Sequence, residues 1–133
     1  MSGAAQASQQ LQGTWRVTVT PAGPDAAPFL NFTLFTGDGG LVTISANGTA
    51  SVGEWTALGG NRFALGFVGM FVQGDQSIAY RIRSTITLNE TADGFSGPFV
   101  VEDVIDDRDS GEAVTPSGSG TMQGARIRIE PLG

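Results

Sequence analysis

Apolar and polar residues alternate along most of this chain with a period of two. That pattern is typical of β-strands with one face in a core and the other in water. The first such segment is GTWRVTVT, residues 13–20, in which Trp15, Val17 and Val19 share one face. The most regular is IAYRIRSTITL, residues 78–88. After the first ten residues, no segment keeps the 3.6-residue period of an amphipathic helix, so the pattern predicts an all-β domain.

Eight segments carry this alternation or a continuous apolar run bounded by turn residues. They cover residues 13–20, 29–35, 41–47, 53–57, 63–72, 78–88, 95–105 and 120–130. Eight antiparallel strands either close into a barrel or split into a sandwich. A sandwich needs long crossovers, and the Pro-rich segment 21–28 is the one candidate for such a connection. We therefore predict a closed antiparallel up-and-down barrel of about eight strands.

The rule that apolar side chains face the core assigns an inner face to each strand. On the second segment it places Leu30, Phe32 and Leu34 inside the barrel. On the third it makes Val42 and Ile44 share one face.

The fifth segment is apolar on both faces, so some of its side chains must point outward. If Leu65 and Phe67 lie inside, then Val68, Met70 and Val72 lie outside. We expect Phe29 and Phe35 to extend the same exterior. Exposed contiguous apolar surface usually marks an interface, and a two-fold dimer is its commonest form. The sequence therefore predicts a homodimer.

Composition limits the domain organisation and the partners. A chain of 133 residues suits one domain, which we place at residues 11–133. The first ten residues, MSGAAQASQQ, predict a disordered N-terminal tail at residues 1–10 and no signal peptide, hence a cytoplasmic protein. The net charge is −6, with seven Lys and Arg residues, which argues against nucleic acid and membrane surfaces as partners.

The chemistry that the chain can perform is limited by two missing residue types. It contains no cysteine and no histidine. This excludes serine–histidine triads, cysteine nucleophiles and the usual zinc sites. The glycine-rich segments lack dinucleotide-binding spacing. We expect neither a metal nor a cofactor, and a small apolar ligand is the partner that the predicted barrel suits best.

The triplet Gly-Thr-Trp at residues 13–15, together with Arg126 and Arg128 near the end of the last strand, resembles the pattern of lipocalins and the wider calycin superfamily. In that superfamily a Gly-x-Trp tryptophan closes one end of the barrel and packs under an arginine from the final strand. The resemblance implies that Trp15 has this role beneath Arg126 or Arg128. We also assign Ile127 and Ile129 to the closed end.

The overall layout also looks like the small lipocalin-like proteins of actinomycetes, and some similar barrels are cyclases in polyketide pathways. Such cyclases fold a linear polyene inside the barrel and promote cycloaddition, including Diels–Alder chemistry. By this resemblance we favour a cofactor-free cyclase, since holding a flexible chain in a reactive shape can lower a barrier by up to about 7–11 kcal/mol. A non-catalytic carrier or sequestering protein is the alternative, and the sequence leaves it open.

Two polar residues are the candidates for catalytic roles. Tyr80 lies in mid-strand on an apolar face, where its hydroxyl needs a partner: a ligand carbonyl, a carboxylate or a backbone group. Asp103 is in phase with two apolar residues of its strand and is expected to point inward. The predicted substrate-binding residues are Phe32, Leu34, Trp55, Phe67, Ile82, Phe99 and Val101.

Overall fold

The computed structural model describes residues 10–107 and 111–132. These residues form eight β-strands: β1 (Gly13–Pro21), β2 (Phe29–Phe35), β3 (Gly40–Ser45), β4 (Ala50–Gly59), β5 (Arg62–Gln73), β6 (Gln76–Leu88), β7 (Gly94–Asp107) and β8 (Gly111–Arg126). The disordered tail predicted at residues 1–10 lies outside the described residues, apart from Gln10.

The strands close into a single antiparallel barrel in which each strand pairs with its neighbours in the chain. The barrel closes because β1 pairs with β2 on one side and with β8 on the other. Trp15 lies opposite Arg126 in the register of the closing pair, and Val17 lies opposite Gly124. The predicted all-β closed barrel of eight strands is therefore confirmed. In the described part of the chain, no helix is long and apolar enough to cross a membrane.

One end of the barrel is closed by a packed aromatic core. Trp15 is fully buried, and its ring lies 5.0 Å from that of Phe95. The guanidinium of Arg126 lies 4.3 Å from the centre of the Trp15 ring, a distance at which cation–π attraction acts. Arg126 also donates hydrogen bonds to the carbonyl oxygens of Gln12 (2.8 Å) and Ala92 (2.9 Å). Of the two arginines that the sequence offered, Arg126 is the one over Trp15.

The assignment of Ile127 and Ile129 to the closed end is wrong. Both follow the end of β8, where the chain leaves the barrel wall. Ile129 is 94% exposed, and Ile127 is exposed as well. Their alternation continues the pattern of β8 in the sequence, but the strand itself ends at Arg126.

The inner face predicted for β2 is also wrong. Phe32 and Leu34 point out of the barrel, as do Val42 and Ile44. The physical reason lies at the closed end, where the ring of Phe35 is buried and packs edge-on against Trp55 and Phe95. Because side chains alternate strictly along a strand, an inward Phe35 forces every second residue of β2 inward with it. Those residues are Asn31 and Thr33.

Candidate functional site

The open half of the barrel contains a cavity of about 720 Å³. It extends from the aromatic core to the end of the barrel that carries the β1–β2 and β3–β4 connections. Residues from all eight strands line it. They include Val19, Phe29, Asn31, Thr43, Ser45, Ser51, Phe67, Phe71, Tyr80, Ile82, Phe99, Val101, Asp103, Ser117 and Met122. A closed barrel with eight strands has room for one small ligand at such a position.

One wall of the cavity is apolar and consists of β1 and β5–β8. Phe99 and Met122 are buried on β7 and β8, and Val19 is buried on β1. Phe67 and Ile82 are half-buried and pack against the core below. Polar side chains also line β6–β8, among them Tyr80 and Asp103, so a hydrocarbon surface of a ligand can lie against the apolar part of this wall around Phe99 and Met122.

The other wall is polar and consists of β2–β4. Asn31, Thr43 and Ser51 are buried there, on three neighbouring strands. Thr33 donates a hydrogen bond of 2.8 Å to Oδ1 of Asn31. Thr43 Oγ1 is buried and has no hydrogen-bond partner among the described residues. The polar wall therefore holds at least one hydroxyl group that can bond to a ligand.

Tyr80 is half-buried and lines the cavity as predicted, but its hydroxyl is already engaged. Tyr80 Oη and Ser51 Oγ lie 2.7 Å apart and form a hydrogen bond that joins β6 to β4 over the inner face of β5. The ring lies over Gly69, where a Cβ atom would overlap with the tyrosine hydroxyl. Gly69 thus makes the space that lets Tyr80 lie along the wall and reach Ser51. The hydrogen-bond partner of the phenol is a serine on β4, which the sequence did not indicate.

Asp103 also lines the cavity, opposite Tyr80 in the register of β6 and β7. It is the one charged residue among the lining residues that the structure describes. No Lys or Arg from the described part of the chain lines this cavity. The electrostatic character of the lumen is therefore neutral to negative.

The structure brings six of the nine predicted site residues to the cavity and leaves three elsewhere. The six are Phe67, Tyr80, Ile82, Phe99, Val101 and Asp103. Phe32 and Leu34 lie outside the barrel, for the reason given above. Trp55 points inward but packs edge-on against Phe35 and Phe63 in the core, and its Nε1 donates to the carbonyl of Thr36 at 3.0 Å. None of these three residues lines the cavity of about 720 Å³. That the other six bind a ligand stays a prediction.

The residues that sequence reasoning missed are mainly the polar ones. Asn31, Thr43 and Ser51 were passed over because polar side chains are normally assigned to solvent. A signal was present on β4, where Ser51 is in phase with Trp55. A second signal was on β2, where Asn31 is in phase with Phe35. Choosing the inner face from the closed-end aromatics, and not from mean apolarity, would have found them.

A second, shallower depression of about 530 Å³ lies along β4–β6 and is bordered by Glu54, Arg81 and Arg83. The two arginines are held by a carboxylate outside the barrel. Arg81 Nη2 lies 3.3 Å from Glu102 Oε2, and Arg83 Nε lies 2.7 Å from Glu102 Oε1. These hydrogen bonds lower the pKa of Glu102 below its ordinary value. The arginines serve this ion-pair network on the outer wall.

The arrangement in the lumen can bind and orient a molecule through hydroxyl groups and an amide. The described residues include no cluster of three or more His, Cys, Asp or Glu side chains that could hold a metal ion. The polar side chains that line this cavity carry hydroxyl groups, as in Tyr80, Ser51 and Thr43, amides, as in Asn31, and the carboxylate of Asp103.

Comparison with known proteins supports the architecture. No protein-family model matches the chain, and no curated protein matches it. The structure is similar to that of EF1p2_mFAP2b bound to DFHBI, with a TM-score of 0.66 and 17% sequence identity. The match covers 93% of this chain and 99% of the other. At this identity the likeness concerns the fold alone, which is that of a small closed β-barrel.

Proposed function

We propose that this barrel binds a small, largely apolar molecule in its open half. The observation that carries the proposal is the cavity of about 720 Å³, which has an apolar wall and a few polar groups. Small-molecule sites in proteins usually have this composition and size. The structurally similar barrel, which is bound to DFHBI, gives independent support for this use of the fold.

Fluorescence titration with pyrene tests this function. Pyrene is apolar, is small enough for the lumen, and reports the polarity around it through its vibronic band ratio. We expect saturable binding with a stoichiometry of one per chain and a band ratio typical of an apolar environment. Absence of saturable binding by any apolar probe up to its solubility limit would contradict the proposal.

A cofactor-free cyclase acting on a polyketide-like polyene is a second candidate, and the Ser51–Tyr80 pair is the observation that favours it. The two hydroxyl groups share one hydrogen bond, so one hydroxyl proton is left to polarise a substrate carbonyl in the lumen. The test incubates the protein with a linear polyene that carries a carbonyl and compares the cyclised product with the spontaneous background. Tyr80→Phe should slow an accelerated reaction by roughly 2- to 10-fold, the worth of one neutral hydrogen bond. No acceleration over background would leave binding as the function.

We further propose that the protein works as a homodimer through the outer face of β2–β5. Nine outward side chains there are between 38% and 75% exposed: Leu30, Phe32, Leu34, Val42, Ile44, Val52, Val68, Met70 and Val72. Together they present roughly 800 Å², the area that each partner contributes to an interface of standard size. Phe35, which the sequence assigned to this exterior, is instead buried, and Phe29 lies at the mouth of the cavity.

The register makes this outer surface, which we call the apolar outer face, continuous. Leu34, Val42, Val52 and Val68 are successive neighbours across four strands. A second copy is the occupant that we propose, because an apolar face of this area can be buried against its own two-fold image. Light scattering at micromolar concentration should give the mass of a dimer. A monomer mass would contradict the proposal, as would a mixed complex with another protein in place of the dimer.

A further inference from the structure

The polar wall of the cavity is a continuous row of hydroxyl groups. Thr43 on β3 lies opposite Thr33 on β2 and opposite Ser51 on β4 in the register of the sheet. The hydroxyl groups on either side of it are satisfied, since Thr33 bonds to Asn31 and Ser51 bonds to Tyr80. Thr43 is 3% exposed and lines the cavity, yet its Oγ1 has no partner among the described residues. The unpaired hydroxyl thus lies at the middle of a row whose other members are paired.

The hydrogen bonds within this row leave donors towards the lumen. Ser51 and Tyr80 have two hydroxyl protons and use one in their mutual bond, so one proton stays available. Asn31 accepts from Thr33 through Oδ1, which leaves its Nδ2 protons to donate. Thr43 adds its own hydroxyl proton. A ligand that meets this wall is therefore best matched if it offers a hydrogen-bond acceptor.

The charges around the lumen select among ligands that carry an acceptor. A carboxylate or phosphate ligand would need a cation to offset its loss of hydration. The described lining residues provide no Lys or Arg, and Asp103 at the mouth repels a second negative charge. A neutral acceptor such as a ketone, amide or quinone oxygen avoids both costs.

The opposite wall determines where the rest of the ligand lies. In a closed barrel of eight consecutive strands, β3 and β7 are four strands apart and face each other across the lumen. Phe99 and Val101 on β7 line the cavity there, with Met122 beside them on β8. A ligand whose acceptor meets Thr43 therefore has its hydrocarbon body against an apolar wall.

We propose that the ligand is a neutral molecule with a hydrocarbon body and a carbonyl-type oxygen that accepts a hydrogen bond from Thr43. This inference rests on the proposed binding function and adds to it the polarity and the charge of the ligand. Thr43 is the specificity-determining residue in this account. Tyr80, the residue that the sequence favours for that role, instead shares its hydroxyl with Ser51.

Three probes with the same ring system test this inference: pyrene, 1-acetylpyrene and 1-pyrenecarboxylate. They differ at one position, which is a hydrogen, a neutral ketone or an anion. Dissociation constants are measured by fluorescence for the wild-type protein, for Thr43→Val and for Thr87→Val. Valine keeps the shape of threonine and removes the hydroxyl. Thr87 is the matched control, since it is an exposed threonine on the outer face of β6.

We expect the wild-type protein to bind 1-acetylpyrene roughly 10-fold more tightly than pyrene, which one well-placed hydrogen bond supplies. The carboxylate should bind more weakly than either. Thr43→Val should abolish the preference for 1-acetylpyrene over pyrene, measured as the ratio of the two dissociation constants, whereas Thr87→Val should keep that ratio at its wild-type value.

Two other results would each overturn a different part of the account. If pyrene binds but the ketone gains nothing, or if its gain survives in Thr43→Val, the inference about Thr43 is wrong and the binding function stands. If none of the three probes binds to the wild-type protein, the proposed function fails and the inference fails with it.

Discussion

Strands β2–β4 and strands β6–β8 form opposite halves of one barrel wall and distribute polarity in opposite ways. On β6, Ile82 and Ile86 point inward while Arg81 and Arg83 point outward. On β3 the order is reversed at the level of the cavity: Thr43 is buried inside, and Ile44 is 51% exposed outside. Strands β6–β8 follow the usual rule of an apolar interior, and β2–β4 are the exception.

The exception in β2–β4 follows from what the inner and outer faces of these strands contact. The lumen side of β2–β4 is not part of the packed core, which lies lower, around Trp15 and Phe35. The side chains above that core meet a ligand, in our account, and the outer side chains meet a second copy. Under our two proposals, the inverted polarity follows from two binding surfaces on opposite sides of the same strands. Each of the two groups of strands, β2–β4 and β6–β8, has an inner and an outer face, and each prediction below alters one of these four faces.

Filling the lumen from the apolar wall should have the largest effect. Val101→Trp puts a large ring into the space of the ligand and should weaken pyrene binding by roughly 100-fold or more. The control is Val100→Trp, one residue earlier on β7, where the side chain points outward. Fluorescence titration compares the two variants. Equal affinities would place the probe somewhere other than the lumen.

Placing a charge on the apolar outer face should separate the dimer. Ile44→Asp introduces two carboxylates into a symmetric interface, one from each copy, and leaving them unpaired should raise the dimer dissociation constant by about 100-fold. Thr87→Asp makes the same change on the outer face of β6, which is polar, and should leave the mass unchanged. Sedimentation velocity measures both. A dimer that survives Ile44→Asp would move the interface away from β2–β5.

Removing the unpaired hydroxyl of the polar wall should stabilise the ligand-free protein. Thr43→Val replaces a buried group that has no partner within residues 10–107 and 111–132, and we expect the free energy of unfolding to rise by about 1 kcal/mol. For a domain of this size that corresponds to a rise in Tm of roughly 4 °C. Differential scanning calorimetry of the ligand-free protein, with Thr87→Val as reference, checks the sign. An unchanged or lower Tm would show that water already satisfies Thr43.

The smallest effect should come from the ion pairs on the outer face of β6 and β7. The bonds from Arg81 and Arg83 lower the pKa of Glu102, so the folded state favours the ionised carboxylate. Its contribution to stability is therefore present above about pH 5 and is lost as the pH falls through the lowered pKa. The Tm difference between wild-type protein and Glu102→Gln should shrink on acidification. Glu130→Gln, at an exposed position after β8, is the control, and a difference that grows at low pH would contradict the assignment.

The architecture could be predicted from the sequence because it depends on patterns that are local. Period-two alternation, with a continuous apolar run for β5, locates all eight strands, and the Gly-Thr-Trp start identifies the closed end, where Arg126 lies over Trp15. The inner placement of Tyr80 was also predictable, because β6 has one clearly apolar face.

The polar wall could not be found by the same reasoning. On β2, alternation alone does not decide which face is the inner one. The face that carries Phe32 and Leu34 was the wrong choice, because at this place the apolar side chains lie on the outer surface of the barrel. The decision depends on Phe35 meeting Trp55 and Phe95, which are distant in the sequence. The bond between Ser51 and Tyr80 likewise joins residues 29 positions apart. Contacts of this kind follow from register, which a single sequence does not display.

The most direct test of the central claim is to locate a bound probe relative to the two sides of the wall. Methyl-labelled protein saturated with 1-acetylpyrene is suited to this, because nuclear Overhauser effects report proximity to individual methyl groups. The account predicts contacts from the ring protons to the methyl groups of Val19, Ile82 and Val101, which line the lumen. Contacts confined to Ile44, Val52 and Val68, on the apolar outer face, would contradict it.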